Sequence, residues 1–130
     1  MSIRVLITGA TGMLGNNVLR ECLAHGIQAE VLVRTKSDRR ALNGLCNHSG
    51  EPLVIHDGDI TDIESIRKAA QGCSHIVHAA GDVHIGWQGL DKQRRINVTG
   101  SSNMARVAFE NQQRLVHVST VNALLSLIHI

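Results

Sequence analysis

The sequence predicts a doubly wound α/β domain with a parallel sheet, and three observations carry that reading. Short apolar runs of β-type residues alternate down the chain with segments of helical period. A glycine-rich turn follows the first of those runs. With 130 residues and 43% hydrophobic content, the chain suits one core and excludes a disordered polymer or two full-sized domains.

Ile3 to Thr8 lacks polar alternation, which is how a strand buried on both faces reads. Leu14, Val18, Leu19, Cys22 and Leu23 then recur at helical spacing, and Gly26 sits where a helix ends. Ala29 to Arg34 is a second strand. A polar stretch with a short helix over 38–46 leads to a third strand, Leu53 to His56. Thr61-Asp-Ile-Glu64 has the form of a capping box and opens a helix through Ile63, Ile66 and Ala69, stopped by Gly72. His75 to Ala80 forms strand four, a long helix follows over 91–111, and Leu115 to Ser119 forms strand five. Such alternation requires right-handed crossovers, so the sheet is parallel and covered on both faces. Ligands of such sheets bind beyond the carboxyl ends of the strands, at the point where strand order reverses.

Composition narrows the function. A formal charge of +2 describes a mildly basic surface, without the basic stripe of a nucleic-acid binder. The basic clusters at 34–40 and 92–95 are short, and the first holds Asp38. Cys22, Cys46 and Cys73 form no CxxC pair, so neither a disulfide framework nor a metal site is indicated, and reduced thiols in a cytoplasmic protein are expected. No signal-peptide pattern or membrane-length apolar run is present, so a soluble protein without a membrane partner is expected. There is no tyrosine, which removes any phenol acid from these residues.

The turn Thr8-Gly9-Ala10-Thr11-Gly12-Met13-Leu14-Gly15 has G-x-x-G-x-x-G spacing between a strand and a helix. That context asks for a tight turn, close backbone approach and a helix N-terminus facing an anion, the requirements of a pyrophosphate. Gly9, Thr11, Gly12, Met13, Leu14 and Gly15 are therefore assigned to a dinucleotide. No Gly-Lys-Ser/Thr follows, which excludes a mononucleotide P-loop. Specificity is read at the exit of strand two, where an acid accepts from a ribose 2′-OH and an arginine pairs with a 2′-phosphate. Glu30 lies at the wrong end of that strand, roughly 13 Å from the ligand edge at the usual rise per residue. Arg34 occupies the exit, with Lys36, Arg39 and Arg40 behind it, so Arg34 and Arg39 are assigned to the 2′-phosphate of NADP(H). NAD(H) stays open, because Asp38 could reach a 2′-OH.

These segments together resemble a known family. Thr-Gly-Ala-Thr-Gly-Met-Leu-Gly (8–15), Gly-Asp-Ile-Thr-Asp (58–62), His-Ala-Ala-Gly (78–81), Asn-Val-Thr-Gly-Ser-Ser-Asn (97–103) and Val-His-Val-Ser-Thr (116–120) look like the ordered signatures of extended short-chain dehydrogenases/reductases. More narrowly, they resemble the NAD-dependent epimerase/dehydratase and dihydroflavonol-reductase-like branch, over about residues 3 to 123. The resemblance implies a Rossmann fold, incomplete at its C-terminus. It implies that Asp59 and Ile60 contact adenine, and that Ala79, Ala80 and Gly81 let backbone pass close to the ribose and nicotinamide. Asn97 would hold the active-site geometry beside the cofactor, and Gly100 would allow close helix-to-sheet packing. Thr120 would hydrogen-bond the reacting carbonyl or alcohol, and Ser119 would contact the cofactor.

The family's acid/base is the tyrosine of a Tyr-x-x-x-Lys pair beyond strand five, and the chain ends first. The histidines offer no substitute: His75 and His78, three apart on one strand, face opposite sides, and His56 and His117 read as strand residues. His84 and Trp87 could line a substrate pocket. The expectation is the cofactor-binding part of an NADP(H)-linked oxidoreductase, inactive alone. Its parent would act on a small molecule such as a nucleotide sugar, steroid-like or flavonoid-like compound, with a homodimer one available assembly. Two alternatives are an NAD-dependent nucleotide-sugar epimerase and a non-enzymatic NAD(P)-binding regulator. Leu125 to Ile130 leaves the family pattern and matches a translation of CTG-TCT-CTT-ATA-CAC-ATC, which looks like a transposon end from sequencing-library preparation. Residues 1–124 are thus expected to be the NAD(P)-binding domain and 125–130 an adapter-derived tail.

Overall fold

The computed structural model describes residues 2–83 and 86–120. Strand β1 spans Arg4–Thr8, helix α1 Met13–Ala24, β2 Gln28–Val33, β3 Val54–Asp57, α2 Ile63–Ala69 and β4 His75–His78. Helix α3 (Leu90–Arg94) runs through a π-helical segment, Arg95–Thr99, into α4 (Gly100–Glu110), and β5 is Arg114–His117. The five strands pair in parallel in the order β3-β2-β1-β4-β5. The chain steps outward from β1 to β3, then returns through α2 to lay β4 on the other flank of β1. A crevice therefore opens between the ends of β1 and β4.

Strand alternation divides the core. Val5, Ile7, Ala29, Val31 and Val33 pack with Leu19 of α1 on one face. Leu6, Leu32 and Ile76 pack with Ile66, Met104 and Val107 of α2 and α4 on the other. Strands β1 and β2 are buried almost throughout, as their largely apolar runs imply. Of the cysteines, Cys73 is buried and its thiol is pushed up to about 11, by burial first and the nearby Glu30 charge second.

The boundaries depart from the sequence reading most clearly in five places, the first being β5, which spans Arg114–His117 and stops short of Ser119. The helix over 38–46 contracts to a 3-10 turn at Arg40–Leu42. Strand β4 stops at His78, because Ala79 and Ala80 turn their amides onto Thr8. The α2 cap is Asp62, whose carboxylate accepts the Glu64 N–H at 3.2 Å, while the expected cap, Thr61, donates its hydroxyl to Asp59. An anionic acceptor at a helix N-terminus outcompetes a hydroxyl already engaged elsewhere. The long helix over 91–111 is interrupted by the π-helical turn. The 125–130 tail and His84 lie outside the described residues.

Candidate dinucleotide site

The site is built from the turn after β1 outward. Gly9 has φ +76°, and a Cβ there would lie 2.6 Å from backbone atoms of Ala79 and Ala80. A Cβ on Gly15 would lie 2.1 Å from the Gly9 carbonyl oxygen. Gly12 differs, since its Cβ would meet nothing nearer than the Gly9 oxygen at 3.4 Å. The fold therefore demands glycine at 9 and 15, whereas at 12 the missing side chain leaves space for something approaching from outside. Gly12 caps α1 without a side-chain hydrogen bond, and no acid stands in the first turn. The N–H groups and positive dipole end of a twelve-residue helix thus face the crevice uncompensated, which suits an anion.

From this turn a cavity of about 290 Å³ runs along the strand ends. Thr8, Gly9, Thr11 and Gly12 line its base, Arg34 and Ser37 one end, and Asp59 and Ile60 a side. Ala79, Ala80, Gly81 and Asp82 line the other end with Lys92 and Ile96. A second hollow of about 500 Å³ adjoins it at Arg34, Ser37, Gly58 and Asp59 and extends over Thr35, Lys36 and Asp62. Together they form an elongated groove with a cationic end and a small-residue end, the shape and chemistry of a dinucleotide cradle.

Of the assigned residues, Gly9, Thr11, Gly12, Arg34, Asp59, Ile60, Ala79, Ala80 and Gly81 are brought together around this groove. Met13 and Leu14 are exposed on the first turn of α1, and Gly15 is buried behind the turn. Arg39 borders neither hollow: it is ion-paired to Asp57 at the end of β3 and donates to the Arg34 carbonyl at 3.4 Å. Asp38 is held by Arg40, which pulls its carboxyl below the usual range. Glu30 is buried at mid-strand, bonded to His56 at 2.7 Å and 3.6 Å from Arg4. Arg34 and Lys36 pair with no acid among the described residues.

Asp59 has a second task. Its Oδ1 accepts the Thr61 N–H at 2.9 Å and the Thr61 hydroxyl at 2.8 Å, fixing the turn into α2. Ile60 is anchored by Asn103, which donates to its carbonyl at 2.9 Å, and by Gly100, where a Cβ would fall 2.5 Å from Ile60 Cδ1. Asn97, in the π-helical segment, accepts the Asp82 N–H at 2.8 Å and donates to the Asp82 carbonyl at 2.9 Å. Both halves of its amide are thus spent on the loop after β4. Ser119 and Thr120 are exposed just past β5 and do not border the groove. Trp87 is exposed as well.

Sequence reading missed Ser37, Lys92, Asn103 and His78. The last is 1% exposed, yet its ring is bonded to Thr8 at 2.7 Å. The cross-strand pairing of Thr8 with His78 is a signal that register prediction would have supplied. Among the described residues there is no cluster of metal-ligating side chains and no helix long and apolar enough to cross a membrane.

Fold and groove define a dinucleotide-binding α/β domain. The chain belongs to the NAD dependent epimerase/dehydratase family, whose pattern it matches over residues 5–124. It is 34% identical over 119 residues to the sterol demethylase protein B of Methylococcus capsulatus, covering 91% of this chain and 34% of that one. It is 30% identical over 120 residues to a farnesyl-dihydroquinoline-oxide ketoreductase of Stigmatella aurantiaca, with the same coverage of each. The crystal structure of Bordetella bronchiseptica WbmG in complex with NAD and UDP superposes with a TM-score of 0.75 at 26% identity, covering 90% of this chain and 37% of that one. The chain thus spans about a third of the length of the curated relatives it matches.

Proposed function

We propose that the chain is the cofactor-binding part of an NADP(H)-linked oxidoreductase acting on a secondary alcohol or carbonyl of a small molecule. The observation that carries the cofactor choice is the pairing at the exit of β2. Arg34 and Lys36 line the outer hollow without acid partners, whereas Asp38 is bound to Arg40. The other carboxylates there, Asp59 and Asp62, already accept hydrogen bonds from Thr61 and Glu64. A 2′-phosphate therefore finds two cations without acid partners, while the carboxylates near a 2′-OH are held by Arg40 or turned toward the start of α2. Arg39 is spent on Asp57, so its part is to hold the Arg34 carbonyl.

The chain's residues would divide the work along the groove. Gly12 and the first N–H groups of α1 would take the pyrophosphate. Asp59 and Ile60 would face the adenine, with the second Asp59 oxygen as acceptor. Ala79, Ala80 and Gly81 would admit the ribose and nicotinamide side, and Asn97 would fix that wall through Asp82. The family resemblance assigns Ser119 to the cofactor and Thr120 to the substrate oxygen, although both stand just past β5 outside the lining of the groove. The cofactor, when bound, supplies the hydride, while the protein orients and excludes water. A Tyr-x-x-x-Lys pair outside this sequence would supply the proton, so these residues alone are expected to be inactive. The ketoreductase relative supports the reductase reading. The NAD- and UDP-bound WbmG structure favours a second one, an NAD-dependent nucleotide-sugar enzyme.

Calorimetric titration with both cofactors separates them. The native chain is expected to prefer NADP⁺, and Arg34→Ala to weaken NADP⁺ at least about tenfold while leaving NAD⁺ within about twofold, the scale of one charge-assisted contact. An NAD⁺ preference unchanged by Arg34→Ala would overturn the NADP(H) reading.

A further inference from the structure

We propose that His78 is a positioning residue of this site, acting through the Thr8 hydroxyl to hold the Ala80 amide and with it the Ala79–Gly81 wall of the groove. The inference rests on the dinucleotide reading above and extends it to a residue that touches no part of the groove. Both amides of the bend after β4 are turned back onto one residue. Ala79 N–H donates to the Thr8 carbonyl at 3.2 Å, and Ala80 N–H donates to the Thr8 hydroxyl oxygen at 3.2 Å. Thr8 also begins the glycine turn, and the bend packs so closely on Gly9 that no Cβ fits between them. One side chain thus joins the base of the groove to its far wall.

Proton accounting fixes the direction of the bonds. Thr8 is fully buried, so its single hydroxyl proton needs an acceptor. Its oxygen already accepts from Ala80, and the neighbouring acceptor is His78 Nδ1 at 2.7 Å. His78 must then carry its proton on Nε2, where Ser101 Oγ of α4 stands 3.3 Å away. The opposite tautomer would leave the Thr8 proton without an acceptor in a buried setting, at the cost of an unmade hydrogen bond. His117 of β5 stacks on the His78 ring with centroids 5.4 Å apart, holding its plane. Burial, followed by the His117 ring, pushes the imidazole down to about 4, in keeping with a neutral acceptor. Protonation at Nδ1 would set a donor against the Thr8 hydroxyl and leave its proton without an acceptor beside the bond to Ala80.

The test compares two replacements of His78. His78→Asn keeps an acceptor near the Nδ1 position, and His78→Leu fills space without one. Three readouts are taken on the chain: the ¹⁵N spectrum of the His78 ring, hydrogen exchange at the Ala80 amide, and NADP⁺ affinity. The native ring is expected as the Nε2–H tautomer. His78→Leu is expected to speed Ala80 exchange and weaken NADP⁺ by about tenfold each, and His78→Asn to restore both to within about threefold. If His78→Leu fails to fold, Thr8→Val against Thr8→Ser poses the same question with His78 intact, and only the valine variant should lose Ala80 protection. An Nδ1–H tautomer, or Ala80 exchange that follows global stability alone in every variant, would overturn the proposal. A native chain that binds neither NADP⁺ nor NAD⁺ would instead defeat the dinucleotide reading, while the tautomer and Ala80 exchange would still decide the role of His78.

Discussion

On the β1–β3 side of the crevice the backbone is held by close approach within itself: a Cβ at Gly15 would drive into the Gly9 carbonyl and one at Gly58 into Leu32 and Ser65, while Gly9, whose Cβ would meet Ala79 and Ala80, is where the two sides touch. On the β4–β5 side it is also held by hydrogen bonds to single side chains: the Ala80 amide donates to the Thr8 hydroxyl, which is bonded to His78, and the Asp82 amide donates to Asn97. The central strands behind the first side are buried, while β5 at the far edge is mostly exposed, with Val116 open. Steric closure admits few intermediate states, because interiors resist added volume. A wall hung on hydrogen bonds can be loosened one contact at a time. The glycine-turn end is therefore closed by backbone contacts, and the end proposed for the nicotinamide side is open to loosening bond by bond.

The largest effect should come from breaking the steric side. Gly15→Ala places a methyl 2.1 Å from a carbonyl oxygen that cannot move without displacing the whole turn. A glycine-to-alanine change inside a helix ordinarily gains up to about 1 kcal/mol, so a net loss reveals the clash. We expect at least about 3 kcal/mol lost in urea unfolding, within the range of severe overpacking. Gly12→Ala is the control, expected to cost about 1 kcal/mol or less, as an alanine N-cap does, yet to weaken dinucleotide binding about tenfold or more by filling the approach. Equal losses of stability in the two variants would erase the distinction between a fold glycine and a ligand glycine.

That distinction marks where sequence reasoning stopped. The strands, α1, the glycine turn and the cationic exit of β2 were legible because each is a local pattern of period or spacing. That Arg39 stands outside the groove was not, because it is claimed by Asp57, eighteen residues further on. The helix cap moved from Thr61 to Asp62 because Asp59 captured the Thr61 hydroxyl, a competition that a capping pattern does not encode. The spacing of His75 and His78 shows only that they face opposite sides of one strand, since the partner of His78, Thr8, is seventy residues distant and meets it only through strand order. The adjustable side of the groove is made of such long-range pairs, which is why less of it could be read.

A middling effect is expected from acid on the hydrogen-bonded side. His78 titrates near 4 in the folded chain, against an ordinary value of 6.5 once unfolded. Between those values the unfolded chain takes up a proton that the folded chain refuses. The contribution is whole above pH 6.5, declines as the pH falls toward about 4, and changes no further below it. The full shift corresponds to a ceiling of about 3 kcal/mol. Urea midpoints measured from pH 7 to pH 4.5 should fall more steeply for the native chain than for His78→Asn, which has no ring to titrate. Parallel slopes would show that His78 is not the buried group that the acid attacks.

The smallest effect belongs to Asn97, and it asks how finely the adjustable side can be tuned. Its amide makes two bonds to Asp82 while remaining exposed, so water replaces much of what is lost, and Asn97→Ala should cost about 1 kcal/mol or less. Asn97→Asp keeps an acceptor for the Asp82 N–H but sets a carboxylate oxygen against the Asp82 carbonyl, where the amide had donated. Hydrogen exchange at the Asp82 amide should therefore rank native slowest, the aspartate variant between, and alanine fastest, with urea midpoints nearly unchanged. Because the loop hangs on the two bonds separately, exchange should respond in two steps, whereas a sterically closed wall would hold until it failed outright.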